Sequence, residues 1–286
     1  MPGNRIPVLK GHGTGNDFVL IPDLEGQVDL TAELVRRICD RRTGLGADGV
    51  LRVVRSERAD DPAAQGAEIF MDHRNADGSA AQMCGNGIRL FADYLVRAGL
   101  ADPAGMDIAT RGGVRRVARR SDGLYDVAMG PAEPVEGVAT VMLGRLSFPA
   151  TGVLMPNPHA VVFVGSLDAA GTLESPPEVS ADVFPDGVNV EFVHVLAPAH
   201  VEMRVHERGV GETRSCGTGA CAAAWVARRL PGASDAPYRV DVPGGTLLVA
   251  EAEDGMHLIG PAEIVSEGFL DAGWMARAMG DLKGSA

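Results

Sequence analysis

Lysine is nearly missing from this chain: among 286 residues only Lys10 and Lys283 carry an amino side chain. Pyridoxal phosphate and other Schiff-base cofactors need a lysine in a built pocket. Lys283 falls in the tail DLKGSA, which is expected to fray, and Lys10 precedes GHGTGND with nothing around it resembling a cofactor site. Cysteine is also scarce, with Cys39, Cys84, Cys216 and Cys221 only. No CxxC occurs, and no histidine doublet follows the pair Cys216 and Cys221, so neither a zinc knuckle nor a thioredoxin-type motif is present, and no metal is expected. The spacing in GHGTGND is not GxGxxG, and no βαβ pattern follows it, which excludes a dinucleotide site. No apolar run reaches 18 residues, and MPGNRIPVLKGHG lacks the apolar core of a secretory signal, so a cytoplasmic chain without a membrane span is expected. Basic residues are in deficit, 26 against 38 acidic, for a net charge of -12. Nucleic acid and anionic membrane are thereby excluded as partners.

What is present is a pattern used twice. MCGNGIRLFADYL from Met83 and SCGTGACAAAWVA from Ser215 each set a cysteine before a glycine-rich turn that runs into an apolar, helix-like stretch. The cysteines lie 132 residues apart, and at that offset Ala67 falls on Ala199, Met71 on Met203, Asn75 on Glu207 and Gly85 on Gly217. TRGGVRRVAR from Thr110 matches VPGGTLLVAE from Val242 at the same offset, and MGPAEPV from Met129 matches IGPAEIV from Ile259 at 130. Upstream the echo drifts, with Asp48 of DGV over Asp186 and Asn16 over Asn157. Two copies make a duplicated domain, since solenoids need three or more.

Short β-branched runs outnumber helices: VLRVVR, AEIFMD, VAMG, HAVVFV, VNVEFVHVL, HVEMRVHE and TLLVAE read as strands between Gly, Pro, Asp and Asn turns. Helices are predicted from Thr31 to Asp40 and after each of Cys84 and Cys216. The expected fold class is α/β in the α+β sense. It has two pseudo-symmetric domains from an internal duplication, each a curved, mostly antiparallel or mixed β-sheet around a central helix. The expected bounds are 1–130 plus 266–286 for the half with Cys84, and 131–265 for the half with Cys216. Cys39 and Cys221, set among apolar neighbours, read as small buried hydrophobes.

A cysteine before Gly, a polar residue and Gly at a helix start has a chemical meaning. The first turn leaves four N–H groups without intrahelical acceptors, and the helix dipole adds partial positive charge. Such a turn holds a carboxylate and favours a thiolate, so lowered thiol pKa values are expected at Cys84 and Cys216. Two such thiols on quasi-symmetric halves facing across a cleft suit the inversion of a stereocentre, one removing a proton and the other returning one. Without a usable lysine, a cofactor-free reaction is expected.

These residues resemble the diaminopimelate epimerase family. GTGNDF from Gly13, RNADGS from Arg74, MCGNG from Met83, NPHAVVF from Asn157, GVNVEFV from Gly187, HERGVGET from His206 and SCGTGACA from Ser215 occur in the family's order over nearly the whole chain. The resemblance implies two pseudo-symmetric domains with the active site in the cleft between them, and Cys84 and Cys216 as alternating base and acid. It implies that Gly85 with Asn86, and Gly217 with Thr218, hold the α-carboxylate. Asn16, Asn75, Asn157, Asn189 and Arg208 would fix the distal end of a small amino-acid substrate, Glu207 would meet its amino group, and His159 would support the thiols. Two positions depart from the family: Gly49 replaces a glutamine that touches substrate in many members, and Pro156 replaces the glycine before NPH. Read singly, Asn16 and Asn75 are turn formers. His12, His73, His194, His200, His206 and His257 read as solvent-facing or hydrogen-bonded core residues. A homodimer is permitted by the sequence and not dictated by it. A same-fold epimerase of another amino acid is the alternative reading, and a non-enzymatic amino-acid-binding or thiol-sensing protein a more distant one.

Overall fold

The computed structural model describes residues 5–280; Lys283 and the DLKGSA tail lie outside them. The chain divides into two compact units. Unit 1 takes the chain through Gly13, Asp17–Arg119 and the chain from Ala262 on, and unit 2 takes Thr14–Asn16 and Arg120–Pro261.

Unit 1 begins with β1 (Pro7–Gly13), β2 (Asn16–Pro22), α1 (Ala32–Cys39), β3 (Gly49–Arg55), β4 (Ile69–Asn75), α2 (Gly85–Arg97), β5 (Met106–Ala109) and β6 (Arg115–Arg119). β1 pairs with β2, β2 runs parallel to β3, β3 antiparallel to β4, β4 parallel to β5, and β5 antiparallel to β6. The continuous apolar run FVLI in β2 marks a strand covered on both faces. Val19 and Ile21 turn to the α1 side, where they join Leu34, Val35, Ile38 and Cys39 in one core cluster. Phe18 and Leu51 turn to the other face and meet the first turn of α2, within 3.4 Å of where a Cβ on Gly87 would stand. The predicted helix from Thr31 to Asp40 is α1 with both its caps, the Thr31 hydroxyl accepting the Leu34 N–H at 3.2 Å. Its buried Leu34, Val35 and Ile38 each contribute about 1.5–3 kcal/mol relative to exposure.

A buried charge cluster braces β4. The Asp72 carboxylate is fully buried, and it accepts hydrogen bonds from Arg111 at 2.6 Å, Arg74 at 2.8 Å and Arg52 at 3.1 Å. Arg111 also reaches Asp61 at 2.8 Å and stacks over the Phe70 ring. The next residue, His73, is buried too, and burial together with the Arg111 charge holds its imidazole down to about 4.

Unit 2 contains β7 (Tyr125–Gly130), β8 (Glu133–Pro134), β9 (Ala139–Leu143), β10 (Leu146–Met155), β11 (Asn157–Phe163), β12 (Glu178–Val179), β13 (Asn189–Ala197), β14 (His200–Glu207), β15 (Gly211–Thr213), α3 (Gly217–Ala227), β16 (Tyr238–Val242), β17 (Gly245–Ala252) and β18 (Gly255–Gly260). The chain then returns to unit 1 as β19 (Glu263–Phe269) and α4 (Ala272–Gly280). Unit 2 repeats the topology of unit 1: β10 pairs with β11, β11 lies parallel to β13, β13 antiparallel to β14, β14 parallel to β16, and β16 antiparallel to β17. β8 closes against β10 as β19 closes against β1, both antiparallel. The echo in the sequence is thus an echo in strand order. α3 is buried on nearly every side, touching β10, β11, β13, β14, β16, β17 and β18. Its run of Gly and Ala explains how: small side chains let strands approach the helix all round.

Candidate active site

Both cysteines of the repeated motif occupy the same structural position. Cys84 is the N-cap of α2 and Cys216 the N-cap of α3, each with extended backbone. Cys84 Sγ accepts the Gly87 N–H at 3.4 Å, and Cys216 Sγ accepts the Gly219 N–H at 3.4 Å. In each turn the sulfur is tied to the third helical residue. The residues before it, Gly85 with Asn86 and Gly217 with Thr218, carry the remaining first-turn amides, which face away from intrahelical acceptors in any helix. Gly85, Asn86 and Gly217 are buried, and the Thr218 hydroxyl lies 3.4 Å from Cys216 Sγ.

Around Cys216 the period of two in each strand aims polar residues at α3. β11 supplies Asn157 and His159, β13 supplies Asn189 and Glu191, and β14 ends with Glu207. Nε2 of His159 lies 3.0 Å from Asn157 Oδ1, and Nδ1 lies 2.7 Å from Glu191 Oε1. Glu207 accepts a hydrogen bond from the Thr213 hydroxyl, and its carboxylate lies close enough to the Cys216 thiol for each to act on the other. Arg208 is exposed and does not pair with Glu207; its Nη1 donates to the Asp186 carbonyl at 2.9 Å, and its backbone N–H donates to Asn189 Oδ1 at 2.8 Å. Pro156 caps the tight reversal from β10 to β11, where Met155 pairs with Asn157.

The expected lowering of the thiol pKa fails at Cys216. Burial pushes this thiol well above its ordinary value, and the carboxylates of Glu207 and Glu191 push further, against the opposing hydrogen bonds of Thr218 and Gly219. Three effects of desolvation and like charge outweigh one helix start. Glu207 is itself raised by burial, with Glu191 adding to it and the Thr213 bond opposing.

Around Cys84 the equivalent positions hold different chemistry. Phe18 pairs with Gly49 as His159 pairs with Asn189, so Phe18 stands for His159 and Leu51 for Glu191. Arg89, fully buried in α2, donates to the Gly85 carbonyl at 2.9 Å and to Asn86 Oδ1 at 2.9 Å. At the end of β4, Asn75 opens a turn closed by the Gly78 N–H on its carbonyl, and its side-chain amide donates to Ser79 Oγ at 3.0 Å. Its turn-forming character is therefore real and coexists with an exposed side chain. Asn16 is half-buried in the short segment Thr14–Asn16 that clusters with unit 2.

Gly49 has no room for a side chain. A Cβ there would stand 2.5 Å from the Arg74 carbonyl oxygen and 3.2 Å from His73 Nε2. Gly49→Gln is expected to lower stability by about 1–3 kcal/mol, the usual cost of overpacking. An unchanged urea midpoint would show that β3 and β4 part to admit it.

Sequence reasoning missed Glu191 and Arg89. Each carried a faint signal: a glutamate at an inward position of a strand, two residues after Asn189, and an arginine on the apolar face of α2 between Ile88 and Leu90.

Comparison with known proteins places the chain in a family. The family profile for diaminopimelate epimerase matches residues 8–135 and 151–265. A diaminopimelate epimerase of Streptomyces coelicolor is 53% identical over 283 residues, covering 95% of this chain and 97% of that protein. One from Corynebacterium glutamicum is 46% identical over 270 residues, covering 92% and 97%. Among solved structures, a predicted epimerase from Pseudomonas aeruginosa superposes with a TM-score of 0.66 at 16% identity, covering 93% of this chain and 99% of that one. A probable proline racemase from Agrobacterium radiobacter gives 0.65 at 17% identity, covering 93% of each chain. These distant structures share the fold, and the close relatives share the whole length. The chain belongs to the diaminopimelate epimerase family.

Proposed function

We propose that this chain interconverts LL- and meso-diaminopimelate without a cofactor, using Cys84 and Cys216 as a thiolate and thiol pair. The observation that carries the reading is the identical capping of two duplicated helix starts by cysteine sulfur, each beside first-turn amides suited to a carboxylate. One thiolate takes the α-proton, and the electron pair left on carbon spreads into the α-carboxylate. Amides of Gly85, Asn86, Gly217 and Thr218 stabilise the charge that builds there. The other thiol then gives its proton to the opposite face of the carbon, which inverts it and leaves the two sulfurs with exchanged protonation. The raised thiol of Cys216 supports its role as the proton-loaded member of the resting pair. An α-ammonium beside Glu207 would offset the cost of that buried carboxylate.

At the distal end, Arg208 can trade its loop carbonyls for a carboxylate, and Asn16, Asn75, Asn157 and Asn189 offer both donors and acceptors. A site that hydrogen-bonds both ends rejects shorter amino acids, which leave its polar groups unpaired. Thiols used as acid and base must stay reduced, which fits a cytoplasmic enzyme. No helix among the described residues is long and apolar enough to cross a membrane.

Incubation with each isomer in deuterated water under reducing conditions tests the proposal. At early conversion one deuteron per product molecule is expected, at the inverted α-carbon, by mass spectrometry. No exchange with either isomer would sink the substrate assignment, and a racemisation screen over other amino acids would then locate the substrate.

A further inference from the structure

We propose that Glu191 is a positioning residue for proton transfer at Cys216, holding His159 in one orientation and one tautomer. The inference rests on the functional reading above. Glu191 and His159 are both fully buried, with Oε1 2.7 Å from Nδ1. Oε2 of Glu191 has no hydrogen-bond partner among the described residues, so the imidazole is the carboxylate's anchor. The same carboxylate presses on the helix start: a Cβ on Gly219 would stand 2.6 Å from Glu191 Oε1 and 3.3 Å from Cys216 Sγ. This explains why the third helical residue must be glycine here. It also brings the carboxylate against the residue whose N–H caps the thiol.

The other copy of the fold serves as an internal control. At the equivalent positions unit 1 has Leu51 and Phe18, in ordinary contact with Gly87. The strand pair and the helix start therefore form without any charge at this place. A buried carboxylate costs free energy unless its charge is used, so its presence in one copy alone points to chemistry rather than to folding. The charged and titratable groups facing Glu191 are His159 from β11, Glu207 from β14 and the Cys216 thiol from α3; Asn157 and Asn189 beside them are neutral. The Glu191 carboxylate at Nδ1 and the Asn157 oxygen at Nε2 are both acceptors, so each ring nitrogen serves as a donor where it carries a proton; the carboxylate holds the Nδ1 proton, and Nε2 is the nitrogen left to give one up. It is the arrangement by which a buried acid orients a catalytic histidine in hydrolases.

The test compares Glu191→Gln and Glu191→Asp with the native chain. Glutamine is expected to lower kcat about 100-fold, the low end of what a positioned acid–base group supplies, with KM for both isomers within about twofold. The alkaline limb of kcat/KM should move to lower pH, because one of the two carboxylates raising the Cys216 thiol is gone. Aspartate should restore part of the rate. In ¹⁵N-labelled protein the His159 Nδ1 proton should resonate far downfield in the native chain and lose that position in Glu191→Gln. Native kcat and native pH limbs in Glu191→Gln, or an unprotonated Nδ1 in the native chain, would overturn the proposal. Should the glutamine variant not fold, a native kcat in Glu191→Asp, with the carboxylate drawn back by a methylene, overturns it equally. If the native chain exchanges no α-proton of either isomer, the functional reading fails instead, while the His159 spectrum still decides the pair.

Discussion

Alanine at Cys84 or at Cys216 is expected to abolish net epimerisation, with kcat falling by about 10³- to 10⁴-fold in each. Inversion needs a proton removed on one face and supplied on the other, so neither thiol can cover for its partner. Stability should fall far less than activity, since each sulfur also caps its helix and losing a cap costs about 0.5–2 kcal/mol. Serine separates the two roles. Its hydroxyl caps a helix well but is far too weak an acid to serve as thiolate or thiol, so Cys84→Ser and Cys216→Ser should hold their thermal midpoints and still lose the rate. The measurement is conversion of LL- to meso-diaminopimelate, followed by chiral chromatography, alongside circular dichroism melts. Full activity in any one of these variants would end the two-base mechanism.

Asp72→Asn should destabilise the protein by about 3–5 kcal/mol at pH 7, the cost of breaking a buried charge cluster by removing one partner. Three guanidinium groups, from Arg52, Arg74 and Arg111, meet on this carboxylate. Burial works against its ionisation, and the hydrogen bonds from Arg111 and Arg74 outweigh burial, so the folded carboxyl stays below its ordinary value. The unfolded chain therefore binds the proton more readily, and this stabilisation, complete above about pH 4, is lost as the pH falls further. His73 acts over a higher window. Folded, it titrates near 4; unfolded, near 6.5, so stability falls as the pH drops between those values. Urea denaturation of the native chain should weaken from pH 6.5 downward, and Asp72→Asn should keep that upper slope while losing the lower one. A variant within 1 kcal/mol of the native chain at pH 7 would show that the arginines find other partners at no cost.

The duplicated motif was legible because its chemistry is local. A cysteine capping a glycine turn involves residues three apart, and the sequence displays them side by side. Strand runs such as HVEMRVHE, which is β14 from first residue to last, were legible through their alternation. What stayed hidden depends on register between strands distant in the sequence. Glu191 meets His159 only because β13 lies parallel to β11 with Asn189 opposite His159. The thiol of Cys216 was misjudged for the same reason: its helix start is written in SCGTG, but the burial that outweighs it, and the Glu207 and Glu191 charges that add to the burial, come from packing against other strands. Gly49 read as a lost contact, and the structure adds the steric reason, an Arg74 carbonyl that only the paired strand reveals.

The pairing of β1 with β19 also governs when this protein can become whole. Pro7 finds its partner in Phe269, and β1 lies between β2 and β19. A chain growing from its N-terminus holds that edge open until nearly all of the sequence has been made. An exposed, unpaired edge invites pairing with the wrong chain. While unit 2 is being made, unit 1 waits without its last strand, and crowding of nascent chains should be felt most at β1.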